Sequence, residues 1–496
     1  MMRTSPPAPL HTRGEQVEPA AYLFAASQIF LQKHGRSASP DAEPSPLLWR
    51  GAGGEAAKAK NQPAKHQFPI HSSTQPLIHS SLKLISGLQF LLLLLLLPCT
   101  VDAQTASREY PFIRHEKNVI LNNENLDNFY AALQSLQTRK RHKVKVLHLG
   151  DSHIQADVFS GQLRSHLQHD SLFGNGGRGF VFPYPVAKTN NPYNYKVTYS
   201  GTWSNKKNIS RGKTSDWGLS GITVTTEDTL ASITINSSRI PGKVYPVQWV
   251  RVFYSASDSS YQPVLLTGFH RSTRLFPVSP GQPGIAEFVL PETTDEITLS
   301  FSKTDSLQNS FTLQGVVLEN SDTGLVYHHS GVNGADATAW LRSPKLAEQV
   351  ALLRPDLIVI SLGTNDAFSP KFNADSFRVA TELLLIRLQQ AAPNASFLLT
   401  TPGDCYQGKY INTKIPQAGE AIKALATGQK AAAWDLYELM GGLRSINKWK
   451  LAGLAAKDRV HYSNKGYSLQ GDLLFDALMA GYKDWMEQNL KSQAGQ

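Results

Sequence analysis

The order of the hydrophobic patterns along this chain constrains its fold more than any single residue does. Residues 143–150 alternate and end in glycine, as a buried strand leading into a tight turn would, and apolar residues follow at helical spacing over 154–167. Later, 355–362 is a continuous apolar run typical of a strand buried on both faces, 377–390 is an amphipathic helix, and 397–401 is another short strand. This alternation predicts an α/β fold with a mainly parallel sheet between two layers of helices.

A β-rich stretch separates the two α/β portions. Between residues 188 and 321, short strand-like runs are punctuated by Gly, Pro, Ser and Asn, and no helical period is present. This pattern predicts a β-sandwich inserted into the α/β domain. The runs are 222–226, 231–235, 247–254, 286–290, 296–301 and 311–318. The resulting division is a leader (1–103), a first α/β part (104–187), the insertion (188–321) and a second α/β part (322–496).

Composition excludes several classes of protein. Hydrophobic residues form 41% of the 496-residue chain and charged residues 18%, which excludes a disordered polypeptide. Only Cys99 and Cys405 are present, so a framework of disulfides is excluded as well. The net charge of +10 contains no run of five basic residues, and we therefore predict no nucleic-acid partner.

An apolar run at residues 84–97 has the features of a secretion signal. Its length of about 14 residues is short of a membrane span, Lys83 precedes it, and small residues at 101 and 103 predict cleavage after Ala103. A lipoprotein anchored at Cys99 is a minor alternative, because Pro98 is a poor match to a lipobox. Since a signal peptide stands at an N-terminus, we interpret the residues before it as the product of a mis-assigned start. The mature protein is then expected to have no stable membrane span.

A serine follows the first predicted strand directly. Gly150-Asp151-Ser152-His153 lies where that strand ends, at the sheet edge where α/β folds bind ligands. The start of a helix at the same point favours developing negative charge. By itself the tetrapeptide is equally compatible with a turn that is capped by a serine.

Two further blocks supply the partners that such a serine needs. The run 361–366 (SLGTND) ends another buried strand, and Asn365 can present an N–H donor to an oxyanion. Near the C-terminus, Asp458 precedes His461 by three residues, so that its carboxylate can reach the imidazole while the other ring nitrogen faces the serine. Together these are a nucleophile, a base and an orienting acid.

With GDSH, GTND and DxxH in this order, the chain resembles the GDSL-type or SGNH hydrolases. The family's remaining block supplies a glycine amide, and its best match is Gly334 in the run 330–335 (SGVNGA). The resemblance implies a flavodoxin-like three-layer α/β fold. Within the family, a β-rich insertion after the serine block and a histidine next to the serine are similar to bacterial peptidoglycan O-acetylesterases, in which the insertion resembles a carbohydrate-binding jelly roll.

The resemblance also implies a role for each matched residue. Ser152 would be the nucleophile, His461 the general base and Asp458 its orienter. The amides of Ser152 and Gly334 and the side chain of Asn365 would form the oxyanion hole. No metal and no cofactor is required by this set of residues.

Two further residues are candidates for substrate contacts. Arg178 lies in the glycine-rich run 174–179, which we expect to be a loop at the rim of the site where the guanidinium could meet an anionic substrate. His153 would either line the site beside the nucleophile or fill space beneath the turn. Exposed tryptophans of the insertion could stack on sugar rings, although core packing accounts for most such residues; the candidates are Trp203, Trp217 and Trp249.

The function expected on this basis is that of a periplasmic or secreted serine esterase. It would remove O-acetyl groups from peptidoglycan or another polysaccharide through an acyl-enzyme intermediate, and an O-acetylated glycan would be its partner. Two alternatives stay open: a polysaccharide O-acetyltransferase that uses the same triad, and a carbohydrate-binding protein with a vestigial hydrolase site.

The signal-peptide interpretation predicts the N-terminus of the exported protein. Expression in a secreting bacterium followed by N-terminal sequencing should give a chain that begins near Gln104. A mature chain that begins before residue 80 would contradict this interpretation.

Overall fold

The computed structural model describes residues 110–169, 173–267, 271–278 and 282–494. The expected signal peptide, its cleavage site and Cys99 lie outside these ranges. The strands of the described chain are β1 (Ile120–Leu121), β2 (Lys143–Gly150), β3 (Gly179–Val181), β4 (Lys196–Ser200), β5 (Ser204–Lys207), β6 (Ile222–Thr226), β7 (Ser232–Asn236), β8 (Val247–Ser255), β9 (Gln262–Thr267), β10 (Thr273–Leu275), β11 (Ile285–Thr294), β12 (Glu296–Ser302), β13 (Phe311–Glu319), β14 (Gly324–Gly331), β15 (Leu357–Ser361), β16 (Ser396–Thr400), β17 (Tyr406–Gln407), β18 (Tyr410–Ile411) and β19 (Ala432–Trp434).

The helices of the described chain are α1 (Asp127–Gln137), α2 (Ser152–Gln155), α3 (Phe159–Gln168), α4 (Ala337–Leu341), α5 (Leu346–Leu353), α6 (Thr364–Phe368), α7 (Ala374–Ala391), α8 (Ile415–Gly428), α9 (Leu436–Leu439), α10 (Ser445–Leu451) and α11 (Asn464–Ala494). Short 3-10 turns occupy His115–Lys117, Asn123–Leu126 and Tyr184–Ala187. No helix within the described ranges is long and apolar enough to cross a bilayer.

Five parallel strands form the central sheet, in the order β14-β2-β15-β16-β19, and the short β1 pairs antiparallel with β19 at one edge. Counted along the chain, the parallel strands have the order 2-1-3-4-5 of flavodoxin-like folds. The α/β expectation is therefore confirmed, with one antiparallel edge strand added. Connections leave β2 and β15 in opposite directions, which opens a crevice at their carboxyl ends.

Alternating side chains of each strand enter different cores. On β2, Val144 and Val146 pack with helices α1, α3 and α11, whereas Leu147 and Leu149 face the core that contains α5, α7 and α8. This is the period of two that a strand imposes, and it explains why strands covered on both faces read as continuous apolar runs. The sheet is the middle layer of three.

The β-rich portion consists of two antiparallel sheets. One has the order β10-β9-β12-β7-β4 and the other β11-β8-β13-β6-β5. They bury aromatic side chains against each other: the ring centroids of Phe301 on β12 and Phe311 on β13 lie 4.5 Å apart. Strand β3, which precedes residue 188, pairs with β13, so the second sheet also recruits chain from the first α/β part.

A buried ionic cluster joins the α/β part to the β-rich part. Asp157, which is fully buried between α2 and α3, accepts hydrogen bonds from both terminal nitrogens of Arg164 at 3.1 and 2.9 Å. It also accepts from Arg178 at 2.6 Å and from the amide of Asn194, in the β-rich part, at 2.8 Å. Burial opposes ionisation of this carboxyl, but the two arginines and His329 hold its pKa well below its usual range.

Removal of the charge on Asp157 should destabilise the fold. Asp157→Asn leaves two buried arginines without an anionic partner, and we expect the free energy of unfolding to fall by about 3–5 kcal/mol. Denaturant unfolding measures this as a lower midpoint at constant slope. Glu348→Gln, which breaks the exposed pair with Lys345, is the matched control and should cost less than about 1 kcal/mol. Equal stabilities of the two variants would contradict the assigned role of the cluster.

Candidate functional site

A tight turn brings Ser152 to the crevice. A Cβ at Gly150 would collide with the Cγ1 atom of Ile154 and lie 2.7 Å from the carbonyl oxygen of Ser361, so no larger residue fits there. Asp151 then caps α2 by accepting the backbone N–H of His153 at 2.9 Å. Ser152 is consequently the first residue of α2, at the carboxyl end of β2.

His461 and Asp458 reach this serine from the loop before α11. The Nε2 atom of His461 lies 3.1 Å from Ser152 Oγ, and its Nδ1 atom lies 2.8 Å from Asp458 Oδ2. The other carboxylate oxygen of Asp458 accepts the backbone N–H groups of Val460 and His461, each at 3.0 Å. The predicted serine, histidine and aspartate therefore form one continuous chain of hydrogen bonds.

The charge state of Asp458 fixes the tautomer of the histidine. Partial burial disfavours the carboxylate, but the hydrogen bonds from His461 and from two backbone N–H groups outweigh it and lower the pKa of Asp458 to about 2. An ionised Asp458 only accepts hydrogen bonds, so Nδ1 of His461 carries the hydrogen between them. Nε2 is then free to accept a proton from Ser152 Oγ.

The side chain of Asn365 connects three segments of the site. Its Nδ2 atom donates to Asp151 Oδ2 at 3.1 Å and to the carbonyl oxygen of Ala335 at 3.0 Å. Asp151 is almost completely buried, which raises its pKa to about 7. Asp366 holds the same region together by accepting the backbone N–H of Ala337 at 3.1 Å.

Gly334 lies in a turn next to these groups. Its φ of +82° belongs to the left-handed region, which glycine adopts without strain. The turn is closed by a hydrogen bond from the Ala335 N–H to the Val332 carbonyl at 2.9 Å. In the described part of the chain, neither the N–H of Gly334 nor that of Ser152 donates to a backbone carbonyl in a turn, loop or cap.

His153 packs directly beside His461. Its ring centroid lies 5.4 Å from that of His461, and its Nδ1 atom lies 2.8 Å from the hydroxyl of Tyr467. Burial, reinforced by the nearby His461, lowers the pKa of His153 to about 3, so this imidazole is neutral at neutral pH. Its position fits both readings of the sequence, since it adjoins the site and also fills space behind it.

Arg178 does not lie at the rim of the site. Its side chain is fully buried in the Asp157 cluster and stacks over the rings of Tyr195 and Tyr245 at 5.3 and 5.6 Å. The expectation that it meets an anionic substrate is therefore wrong. The glycines around it serve close packing, since a Cβ at Gly179 would come within 2.5 Å of the carbonyl oxygen of Tyr327.

The three tryptophans of the insertion differ in exposure. Trp203 and Trp217 are buried and donate their indole N–H groups to the carbonyls of Ser200 and Lys206. Trp249, on β8, is 49% exposed and is the one of the three with an accessible ring face.

Several residues that adjoin the site were not predicted. Gln155 follows Ser152 by three residues on α2, and its side chain contacts Asn333, the residue before Gly334. Thr189 and Asn190 contact the same two side chains from the start of the β-rich part. The spacing of Gln155 from the serine is a local signal, but nothing in the sequence connects residues 189 and 190 to the turn at 334.

A hairpin borders the site on the side of the histidine. Strands β17 and β18 form it, and the Tyr406 N–H donates to the carbonyl of Arg459, between Asp458 and His461, at 2.9 Å. Gln407 donates to the carbonyl of Phe368, at the end of α6, at 2.7 Å. In the described residues, no group of three or more His, Cys, Asp or Glu side chains is arranged to hold a metal ion.

Residues 304–469 match the family model of the GDSL-like lipase/acylhydrolase family. This segment contains Gly334, Asn365, Asp458 and His461, whereas Ser152 lies before it, on the other side of most of the insertion. No curated protein matches the chain.

Three solved structures are similar to different extents. A peptidoglycan O-acetylesterase is 23% identical with a TM-score of 0.60, over 72% of this chain and 96% of that one. A lipase/acylhydrolase from Enterococcus faecalis is 20% identical with a TM-score of 0.26, over 31% of this chain and 75% of that one. An acetylxylan esterase from Geobacillus stearothermophilus is 17% identical with a TM-score of 0.26, over 32% of this chain and 73% of that one.

The likeness to the first of these structures extends over 96% of that chain and shows a shared fold. Together with the family match over residues 304–469, this likeness shows that the chain has a fold similar to that of a peptidoglycan O-acetylesterase and resembles the GDSL-like lipase/acylhydrolase family.

Proposed function

We propose that this chain is an exported serine esterase that removes O-acetyl groups from peptidoglycan or another polysaccharide. Ser152 is the nucleophile, His461 the general base and Asp458 the residue that orients it. The observation that carries the proposal is the chain of hydrogen bonds from Ser152 Oγ through His461 to Asp458, at 3.1 and 2.8 Å.

The proposed reaction has two halves. Ser152 Oγ attacks the ester carbonyl while His461 Nε2 takes its proton; the collapsing intermediate then expels the sugar hydroxyl, which receives that proton. In the second half a water molecule, deprotonated by the same nitrogen, attacks the acetyl-serine; the bond to Ser152 Oγ then breaks, Oγ receives the proton from Nε2, and acetate leaves. Asp458 stabilises the imidazolium in both halves without accepting its proton.

The oxyanion would be held by the N–H groups of Ser152 and Gly334, with Asn365 as the third donor. The position of Ser152 at the start of α2 adds the favourable field of a helix N-terminus. In the structure the two N–H bonds of Asn365 are donated to Asp151 and to the Ala335 carbonyl, so one of them would turn from its present acceptor to the oxyanion when the intermediate forms.

The proposed substrate class rests on the insertion and on the shared fold. The β-rich part, which we propose to be a jelly-roll-like carbohydrate-binding module near residues 188–321, reaches the site itself: a Cβ at Gly334 would lie 3.9 Å from the Cδ1 atom of Ile209. Trp249 offers this module an exposed aromatic face. Polymeric glycans of the cell envelope are substrates for which export through the signal at 84–103 is appropriate.

Replacement of the nucleophile or the base should abolish turnover. Ser152→Ala and His461→Ala are each expected to lower kcat on a chromogenic acetyl ester by about 10⁵-fold or more, because each is required for the same proton transfer. Circular dichroism should show both variants folded. Ser204→Ala, on the edge strand β5, is the matched serine control and should keep wild-type turnover. Full activity in Ser152→Ala would end the proposal.

Replacement of Asn365 should act on the transition state. For Asn365→Ala we expect kcat to fall by about 100-fold or more with little change in KM, because an oxyanion donor acts after the substrate is bound. Steady-state kinetics on the same ester give both constants. A rise in KM at constant kcat would instead make Asn365 a ground-state binding group.

One set of assays tests both the preferred acyl chain and whether water or a sugar hydroxyl receives the acetyl group. Acetate release from O-acetylated peptidoglycan and other O-acetylated polysaccharides should occur with the wild type and not with Ser152→Ala, and acetyl esters should be preferred to longer acyl esters. Turnover that rises on addition of oligosaccharide would indicate an acetyltransferase. Preference for long acyl chains would indicate a lipase.

A further inference from the structure

A buried glutamine links the nucleophile helix to the glycine turn. Gln155 is fully buried, and its Oε1 atom accepts the backbone N–H of Asn333 at 2.8 Å. Its Nε2 atom donates to the hydroxyl of Thr189 at 3.1 Å and to both the backbone and the side-chain oxygen of Asn190, at 3.0 and 3.1 Å. One side chain thus connects three segments that are distant in sequence.

Asn333 makes a second connection to the same loop. Its Nδ2 atom donates to Asn190 Oδ1 at 2.6 Å and to Thr189 Oγ1 at 3.3 Å. Asn190 Oδ1 and Thr189 Oγ1 therefore each accept hydrogen bonds from both Gln155 and Asn333, and the bond from Asn333 is shorter to Asn190 (2.6 Å) than to Thr189 (3.3 Å). Asn190 itself is exposed and lies at the start of the β-rich part.

The glycine turn depends on these bonds for its orientation. Gly334 has no side chain and is exposed, and a Cβ there would meet only Ile209 within 4 Å. The residue before it, Asn333, is held by both its backbone N–H and its side chain. Since the two residues share a peptide group, the direction of the Gly334 N–H follows from how Asn333 is held.

We propose that Asn190 is a positioning residue that aims the Gly334 N–H at the oxyanion, acting through its Oδ1 atom on Gln155 and Asn333. In addition to any role in binding glycan or shaping the cleft, the β-rich part then supplies a residue that orients an oxyanion donor. This inference rests on the proposed function, because it takes the Gly334 amide as an oxyanion donor.

The chemistry of Oδ1 gives a sharp test, since Asp keeps an acceptor oxygen at this position and Ala does not. On a small acetyl ester, Asn190→Ala should lower kcat by about tenfold with KM within about twofold of wild type, because a displaced donor weakens transition-state binding alone. Asn190→Asp should stay within about threefold of wild type. Lys188→Ala, an exposed change in the same loop, is the matched control and should leave both constants unchanged.

The rate at which a fluorophosphonate modifies Ser152 provides a second readout that needs no glycan. Ser152 Oγ attacks the phosphorus and fluoride leaves, and the phosphoryl oxygen uses the same oxyanion donors in the five-coordinate transition state. Asn190→Ala should therefore react about tenfold more slowly than Asn190→Asp. Thermal unfolding should give the same midpoint for the two variants.

The outcomes separate the two proposals. Wild-type kcat and modification rate in Asn190→Ala, or an equal loss in Asn190→Asp and Asn190→Ala, would overturn the role of Asn190 while Ser152 remains the nucleophile. A wild type that reacts with the fluorophosphonate but hydrolyses no acetyl ester would refute the proposed substrate class, and the modification rates would still decide the role of Asn190. A Ser152 that reacts with neither reagent would overturn both.

Discussion

The site depends on one steric constraint, the absence of a side chain at Gly150. Ile154 of the following helix and the Ser361 carbonyl of the neighbouring strand both occupy the space that a Cβ would need. This close approach lets the chain pass from β2 into α2 within a single residue, Asp151. Ser152 consequently lies at the carboxyl edge of the sheet, between the two strands from which the connections diverge.

From that point, hydrogen bonds bring together residues that are far apart in the chain. His461 follows Ser152 by 309 positions, yet its Nε2 atom lies 3.1 Å from the serine hydroxyl. Asn365 joins the serine turn to the turn after β14 by donating to Asp151 and Ala335. Each contact is weak alone, but the serine, the asparagine and the glycine turn follow the rigid ends of β2, β15 and β14, so little conformational entropy is lost there when substrate binds.

The β-rich part is attached to the α/β part through polar as well as apolar contacts. Asp157 is the centre of the attachment, since arginines from α3 and from the glycine-rich run and an amide from the β-rich part all donate to it. Near the site, Thr189 and Asn190 continue the attachment with hydrogen bonds to Gln155 and Asn333. The β-rich part therefore has a fixed orientation to Ser152 and His461, which would suit the polymeric substrate proposed above.

The sequence alone predicted the strands and helices of the α/β part, the β-rich character of the insertion, and the proximity of Ser152, Asn365, Asp458 and His461. The elements follow from side-chain periodicity, which reports burial, and the proximity of Ser152 and Asn365 follows because polar residues at the ends of parallel strands meet at one edge. The pairing of Asp458 with His461 followed from their three-residue spacing, and their place beside Ser152 from the resemblance to GDSL-type hydrolases. The prediction that Arg178 lies at the rim of the site was wrong, because a glycine-rich run has the same sequence pattern whether it forms an exposed loop or packs tightly beneath a strand. Only the tertiary structure decided that this arginine is buried against Asp157, and that Gln155 and Asn190 support the Gly334 turn, because such contacts depend on how distant segments pack and leave no period or spacing in the sequence.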